Sequence, residues 1–578
     1  MTSGPDHQPL LAAFADELAR CGLRHACTSP GSRCAPLVLA LSAERQLRCY
    51  SHIDERSAGF FALGLAKASY RPVALTCTSG TAVAELLPAV VEAHEARVPL
   101  IVLSADRPPE LRDIGAGQTI DQLKIFGGFA KWFFEVGTHA STAESVRWMR
   151  MLACRAYWTA VEGRPGVVHL NFALREPLVV NMAPEPPCAG RPDGRPLVTR
   201  SATRVLAPTD AESLAQPVTA CRRGLVVAGR HERDTPLGQA AATFCARAGW
   251  PLLADPLSGA RRGEAAIAHY DALLRDDSFA LAARPDLILR VGDLPTSKPL
   301  RAWLAGMPEV PQAVIDAEGC WQDPDMTLCR VFSLEPAAAI ETLDALPADP
   351  DWLSLWSRAD KRSARAIGES LALANAGLSE PAVASELGVL LPENSTLFVA
   401  SSMPVRDIET FWPARADPPR VLCNRGANGI DGTVSSAFGA AAASVGPVVL
   451  LIGDVAFAHD LGGLLAGSRL SLKLTIVLIN NGGGGIFDFL PVAKAPLALQ
   501  ADRYREHIAT PTGLDFAKVA DCYGLSHEPV SDMAGFRAAL ERALEAPHST
   551  LIEVKSERSA NVDLHRRTWD AVSKALRS

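Results

Sequence analysis

The sequence predicts an α/β protein built as three doubly wound parallel-sheet domains, and three observations carry that prediction. Short β-branched apolar runs alternate with helix-like stretches along the chain. Two proline-rich stretches, Ala183–Pro196 and Ala345–Trp352, divide it. Two of the apolar runs recur at one fixed offset.

In the first segment Pro72–Cys77 and Leu100–Ser104 read as strands. In the middle segment Gly224–Val227, Asp286–Val291 and Gln312–Ile315 do, and in the third Leu397–Ala400, Val448–Ile452 and Thr475–Ile479. Each is nearly all apolar and bounded by Gly, Pro or Asp, the pattern of a parallel strand covered by helices on both faces. Proline and glycine at the density of the two dividing stretches disfavour helix and strand and read as linkers. They set domains of 1–184, 185–350 and 351–578. Pro72-Val-Ala-Leu matches Pro447-Val-Val-Leu, and Leu100-Ile-Val-Leu matches Thr475-Ile-Val-Leu, both at an offset of 375. Chance likeness between generic strands is one explanation; two copies of one α/β unit, making the first and third domains related, is the other.

Composition narrows the class. The chain has 578 residues, 48% of them hydrophobic, enough for several cores. A net charge of −7 and no Lys/Arg run argue against tracking a nucleic-acid backbone. The longest apolar runs, Val445–Ile452 and Leu474–Ile479, are too short to span a bilayer. The N-terminal stretch has no basic region and its apolar run is broken by Asp16 and Glu17, unlike a signal peptide. The 13 cysteines include no Cys-x-x-Cys pair, which suggests reduced thiols. The expectation is a cytoplasmic, multidomain protein.

The sharpest chemistry lies in the third segment. One predicted strand runs into Gly453-Asp454, and the next into Asn480-Asn481-Gly482-Gly483. Ligands of doubly wound sheets bind at the carboxyl ends of strands. A carboxylate, an amide oxygen and a backbone carbonyl there are hard donors suited to Mg²⁺. Glycines let a diphosphate approach the backbone. Gly-Asp and Asn-Gly are each ordinary turn chemistry; a pair set 27 residues apart, closing two strands, is more specific.

This spacing resembles the thiamine-diphosphate-dependent enzymes, whose signature is Gly-Asp-Gly followed at a similar distance by Asn-Asn. Val455 stands where the third glycine would be. The resemblance implies thiamine diphosphate as cofactor and Mg²⁺ (or Mn²⁺) held by Asp454, Asn481 and the Gly483 carbonyl. It also implies a glutamate facing N1′ of the aminopyrimidine, which promotes loss of the thiazolium C2 proton. Ser51-His52-Ile53-Asp54-Glu55 offers Glu55 as that catalytic group, at the start of a helix. An acidic residue in a first helical turn also suits the helix dipole with no further role.

Further stretches are similar to the menaquinone-pathway synthases of this class. They are Ser29-Pro30-Gly31-Ser32-Arg33, Ser104-Ala105-Asp106-Arg107-Pro108-Pro109, Gly115–Gln122, Ser401-Ser402-Met403-Pro404-Val405-Arg406, Asn424–Gly432 and Gly484–Pro491. Those enzymes decarboxylate 2-oxoglutarate and add the succinyl-semialdehyde carbanion to isochorismate in 1,4 fashion. Both substrates are dianions, and guanidinium forks grip carboxylates with paired hydrogen bonds. The resemblance assigns substrate binding to Ser32, Arg33, Arg107, Gln118, Lys298, Ser402, Arg406 and Arg425. It assigns cofactor contacts to Ser402, Met403, Ile430, Ile486 and Phe487 beside Glu55, Asp454 and Asn481. Gly117 and Pro299 depart from the family's usual Asn and Arg. The class further implies a homodimer or homotetramer with active sites between subunits. A 2-oxoacid decarboxylase or acetolactate-type synthase, or a catalytically silent protein of the same fold, are the alternatives. The middle segment lacks the spaced glycines of a dinucleotide fingerprint and reads as structural.

Overall fold

The computed structural model describes residues 7–179, 190–200, 208–345, 348–373, 378–494 and 501–578. Among these, the strands form three sheets, and every strand pairing is parallel. The first sheet holds β1 (His25–Thr28), β2 (Arg48–Ser51), β3 (Val73–Cys77), β4 (Leu100–Asp106), β5 (Ala130–Glu135) and β6 (Val167–Ala173). The middle sheet holds β7 (Gly224–Ala228), β8 (Leu252–Ala254), β9 (Leu287–Val291), β10 (Gln312–Ile315) and β11 (Leu328–Phe332). The third holds β12 (Thr396–Val399), β13 (Arg420–Leu422), β14 (Val448–Gly453), β15 (Thr475–Asn480), β16 (Ser526–Val530) and β17 (Thr550–Lys555).

The order in the first sheet is β2-β1-β3-β4-β6-β5, and in the third β13-β12-β14-β15-β17-β16. Numbered within each sheet, both read 2-1-3-4-6-5. The strands of the sequence repeat, β3 with β14 and β4 with β15, hold the same two central places, so the repeat is one of topology as well as of residues. The middle sheet runs β11-β10-β9-β7-β8, the 2-1-3-4-5 order of a simpler doubly wound fold.

Burial explains why these runs form strands. Every residue of β4, β6 and β9 is buried, as two covered faces require. Four of the six edge strands, β2, β5, β11 and β16, are more exposed and more polar, which guards an unpaired edge, whereas the short edge strands β8 and β13 stay largely buried.

The two linker expectations fare differently. In the first, 183–189 lie outside the described residues, and 190–196 carry no helix or strand. The second is corrected. Residues 346–347 lie outside the described residues, but Pro350 opens the helix Pro350–Ala372, capped by the Asp349 carboxylate on Asp351 N–H. Proline at the first helical turn gives up no needed donor. Trp352 is buried in the middle core and donates Nε1–H to the Gly224 carbonyl at 2.7 Å.

The chain divides into two compact units. One comprises Met1–Ala202, Asn424–Ser444 and His459–Lys473; the other comprises Thr203–Cys423, Val445–Ala458 and Leu474–Ser578. Inside the first unit the helices Glu55–Ser69 and Thr433–Ala443 pack backbone to backbone. A Cβ at Gly64 would overlap the Ser436 carbonyl, and one at Gly439 the Phe61 carbonyl. Gly439→Val is therefore expected to cost about 1–3 kcal/mol by overpacking. Gly368→Ala, on an exposed helix position with open space around it, should stabilise by about 0.5–1 kcal/mol. Denaturant midpoints of the two variants check the contrast.

Candidate active site

In the second unit β14 and β15 are neighbours, paired Gly453 to Ile479. Asp454 and Asn481 each follow directly at the carboxyl end. Asp454 begins the helix Asp454–His459 and is 2% exposed. Its Oδ1 accepts Val455 N–H at 3.0 Å, while its Oδ2 is buried with no hydrogen-bond partner among the described residues. Burial pushes this carboxyl up to about 6, against the pull of the Val455 and Gly483 N–H groups. Asn481 donates Nδ2–H to Glu380 Oε1 at 3.0 Å, and its Oδ1 is likewise buried without a partner among the described residues. The Gly483 carbonyl accepts Gly485 N–H at 2.9 Å, which leaves it a second lone pair. Gly483 has φ +137°, and a Cβ there would strike the Ala509 carbonyl, so only glycine fits this turn.

A buried oxygen without a partner is costly unless something else satisfies it. Two such oxygens beside a free carbonyl lone pair, on an open glycine loop, fit a hard cation with phosphate oxygens completing its shell. Arg558 adds a cation. Its Nη1 is buried near the Cβ position of Gly483 without a partner among the described residues, its Nε lies 3.5 Å from Asp488 Oδ2, and its charge pulls Asp454 down. Ile486 and Phe487 lie half-buried on the turn Gly485–Phe489 that follows.

Ser402 follows the end of β12 and stands before the helix Met403–Phe411 with φ +74° and ψ −128°. A non-glycine residue in this region is strained, and strain of this kind gathers at functional sites. Met403 is buried, Arg406 is exposed, and Arg406 donates to the Ser402 carbonyl. Lys298 is exposed at the start of the helix Lys298–Ala305, which lies between β9 and β10 of the middle sheet in chain order.

The first unit presents its own group at strand ends. Glu55 opens the helix Glu55–Ser69, whose N-cap Asp54 accepts Ser57 N–H at 3.1 Å. Burial, with the Asp54 and Glu85 charges, pushes the half-buried Glu55 carboxyl above the ordinary glutamate range. Arg107 follows β4; its Nη1 donates to the Gln118 carbonyl at 3.0 Å and to Ser79 Oγ. Gln118, at φ +56°, returns Nε2–H to the Ser79 carbonyl at 2.9 Å. Arg107 is thus brought to Gln118 through Ser79. Burial and the charge of Arg33 push the Arg107 guanidinium down. Ser32 is exposed, but Arg33 is turned inward, donating to the Leu174 carbonyl at 2.8 Å and to Glu176 Oε1 at 3.2 Å. Arg425 and Ile430 lie half-buried on the loop before the helix Thr433–Ala443.

Three family models match the chain. They are "Thiamine pyrophosphate enzyme, N-terminal TPP binding domain" over 10–125, "Middle domain of thiamine pyrophosphate" over 195–399, and "Thiamine pyrophosphate enzyme, C-terminal TPP binding domain" over 406–554. The chain is 43% identical over 591 residues to the 2-succinyl-5-enolpyruvyl-6-hydroxy-3-cyclohexene-1-carboxylate synthase of Geobacillus kaustophilus, covering 98% of each. It is 43% identical to the protein of that name from Chloroflexus aurantiacus, over 98% of this chain and 96% of the relative. With the one from Bacillus velezensis it shares 39% identity over 98% of each.

The chain belongs to this synthase family.

As a synthase of the thiamine-diphosphate class it is an enzyme, and its cofactor is thiamine diphosphate. Val455, at the third position of the Gly-Asp-Gly pattern, lies within a helix, without positive φ, and donates its N–H to Asp454. Among the described residues, no helix of this synthase is long and apolar enough to cross a membrane.

Sequence reasoning missed three groups. Glu380 is 3% exposed and binds Asn481 and Ser556. Arg558 stands over the glycine loop. Glu92, 3% exposed, accepts Gly426 N–H at 2.8 Å and Ala427 N–H at 2.7 Å, pinning the Arg425–Ile430 loop from within the first unit. For Glu380 and Glu92 the available signal was a glutamate on an otherwise apolar stretch of helix, Glu380-Pro-Ala-Val-Ala and Ala89-Val-Val-Glu-Ala.

Proposed function

We infer that the chain catalyses the reaction for which its relatives are named. It removes CO₂ from 2-oxoglutarate and adds the succinyl-semialdehyde carbanion to isochorismate in 1,4 fashion. The product is 2-succinyl-5-enolpyruvyl-6-hydroxy-3-cyclohexene-1-carboxylate, in menaquinone biosynthesis. The observation that carries this reading is the pair of partnerless buried oxygens, Asp454 Oδ2 and Asn481 Oδ1, at the ends of neighbouring strands.

Bound thiamine diphosphate supplies an electron sink for the carbon that loses CO₂. Asp454, Asn481 and the Gly483 carbonyl would hold Mg²⁺ (or Mn²⁺) against the diphosphate. Glu55 holds and moves a proton at N1′, and burial, which raises its carboxyl above the ordinary glutamate range, makes the protonated form easier to reach. Ser402, Met403 and Ile430 line the cofactor, and Ile486 with Phe487 keeps water from its reacting face. Arg107, Arg406, Arg425 and Lys298 grip substrate carboxylates, with Ser32, Gln118 and Ser402 adding hydrogen bonds. Arg33 joins them by exchanging Glu176 for substrate. The Glu176 side chain is 73% exposed, so that exchange is cheap.

The domain limits 1–184, 185–350 and 351–578, a cytoplasmic location, and a homodimer or homotetramer are part of this proposal. In it, Glu55 of one subunit serves cofactor held by another. The class resemblance implies sites between chains, and this part of the proposal rests on that resemblance.

One assay tests the function. With thiamine diphosphate and Mg²⁺ present, CO₂ release from 2-oxoglutarate should be slow alone and rise at least about tenfold with isochorismate, with one adduct formed per CO₂. Release that isochorismate leaves unchanged points to a simple decarboxylase. No release from 2-oxoglutarate under either condition defeats the reading.

A further inference from the structure

We propose that Glu380 is a positioning residue: its carboxylate fixes which end of the Asn481 amide faces the metal. The inference rests on the metal assignment of Asp454 and Asn481 proposed above.

An asparagine side chain has two ends of nearly equal shape and opposite polarity. Turned one way it offers a cation its carbonyl oxygen; turned the other way it offers two N–H donors, which a cation repels. A metal site built on asparagine therefore needs something that selects the rotamer before the metal arrives. Here the Nδ2 end meets Glu380 Oε1 at 3.0 Å, and the Oδ1 end is left buried without a partner. Reversing the amide would set Oδ1 against a carboxylate oxygen and strand Nδ2–H in the cation's place, so two unfavourable contacts oppose it.

Glu380 is itself held rigidly. It is the first residue of the helix Glu380–Leu390, where a carboxylate complements the helix dipole, and Ser379 caps that helix on Ala382 N–H. The same Oε1 accepts Ser556 Oγ–H at 2.8 Å. Asn481 follows β15 and Ser556 follows β17, the neighbouring strand. One buried carboxylate thus ties down two strand ends, but only one of its two donors belongs to a metal ligand. That difference separates positioning from mere structural support.

The probe is Mn²⁺, whose free ion is counted by electron paramagnetic resonance, titrated into full-length protein with thiamine diphosphate. Glu380→Ala should raise the Mn²⁺ dissociation constant about 10–100-fold, the usual effect of losing an outer-shell partner. Glu380→Gln retains an acceptor oxygen for Asn481 and should stay within about threefold of wild type. Ser556→Ala removes the other donor and should leave Mn²⁺ affinity unchanged, even where it lowers the thermal midpoint. If Glu380→Ala does not fold, the exchange variant Glu380→Gln/Asn481→Asp replaces it. The swapped pair restores an oriented oxygen and should bind Mn²⁺ more tightly than Asn481→Asp alone.

Wild-type affinity in Glu380→Ala, equal losses in Glu380→Ala and Ser556→Ala, or an exchange variant no better than Asn481→Asp would each overturn the proposal. Asp454→Ala is the control for the reading beneath it. Mn²⁺ binding that survives Asp454→Ala refutes the metal site itself; binding lost there but intact in Glu380→Ala refutes only the positioning role.

Discussion

Asp454→Ala is expected to weaken Mg²⁺-dependent binding of thiamine diphosphate by more than the about 10–100-fold that loss of an outer-shell partner costs. The carboxylate is the one charged side chain among the three proposed ligands, and Mg²⁺ is held mainly by such charge. The fold should survive the change. Among the described residues Asp454 Oδ2 has no hydrogen-bond partner to strand, and what the carboxylate gives up is backbone N–H contact from Val455 and Gly483 in the turn it sits in. Removing a buried carboxylate also relieves the burial that pushes it up to about 6. Isothermal titration of the cofactor with Mg²⁺ and with EDTA measures the effect. In wild type the two affinities should differ widely, and in the variant they should converge on the weaker. Unchanged cofactor affinity in the variant with Mg²⁺ would remove Asp454 from the metal site.

What could be read from the sequence follows from where burial leaves its mark. The central strands β3, β4, β9, β14 and β15 were legible to within two residues because both their faces are covered and they contain little else but apolar side chains. The edge strands β2, β5, β11 and β16 carry charged or half-exposed residues and gave no such run. The positions of Asp454 and Asn481 were legible for the same reason as the strands they follow: a polar residue after an apolar run stands at the carboxyl edge of a doubly wound sheet.

Glu380 and Glu92 were not legible. Each reads locally as one acid in a helix. Their partners lie 101 and 176 residues away for Glu380 and 334 and 335 for Glu92, so only the tertiary fold shows what they hold. Pro350 misled for a different reason. Proline is equally at home in a linker and in a first helical turn, and Asp349 decides the matter through a cap that composition does not reveal. Arg33 was placed among the substrate cations by its motif alone. The fold has given its guanidinium to Leu174 and Glu176, so any role in binding requires an exchange of partners.

Glu55→Gln is expected to slow exchange of the C2 proton of bound thiamine diphosphate by about 10²–10⁴-fold, the range that one positioned acid–base group contributes. The substitution is nearly isosteric and leaves the helix cap intact, because the cap is Asp54 on Ser57 N–H. The folded protein and its affinity for the diphosphate end of the cofactor should therefore remain. The amide loses the ability to pass a proton to and from N1′. Glu55 is suited to that task by its setting: burial and the neighbouring Asp54 and Glu85 charges raise its carboxyl above the ordinary glutamate range, which eases taking up a proton. Quenched-flow exchange in D₂O read by proton NMR gives the rate directly, with no substrate needed. Glu55→Asp serves as the graded comparison, since it retains the proton but draws it back by one methylene, and its rate should fall between the other two. Wild-type exchange in Glu55→Gln would sink the assignment outright. Wild-type exchange with turnover abolished would move Glu55 to a later proton transfer, after CO₂ has left.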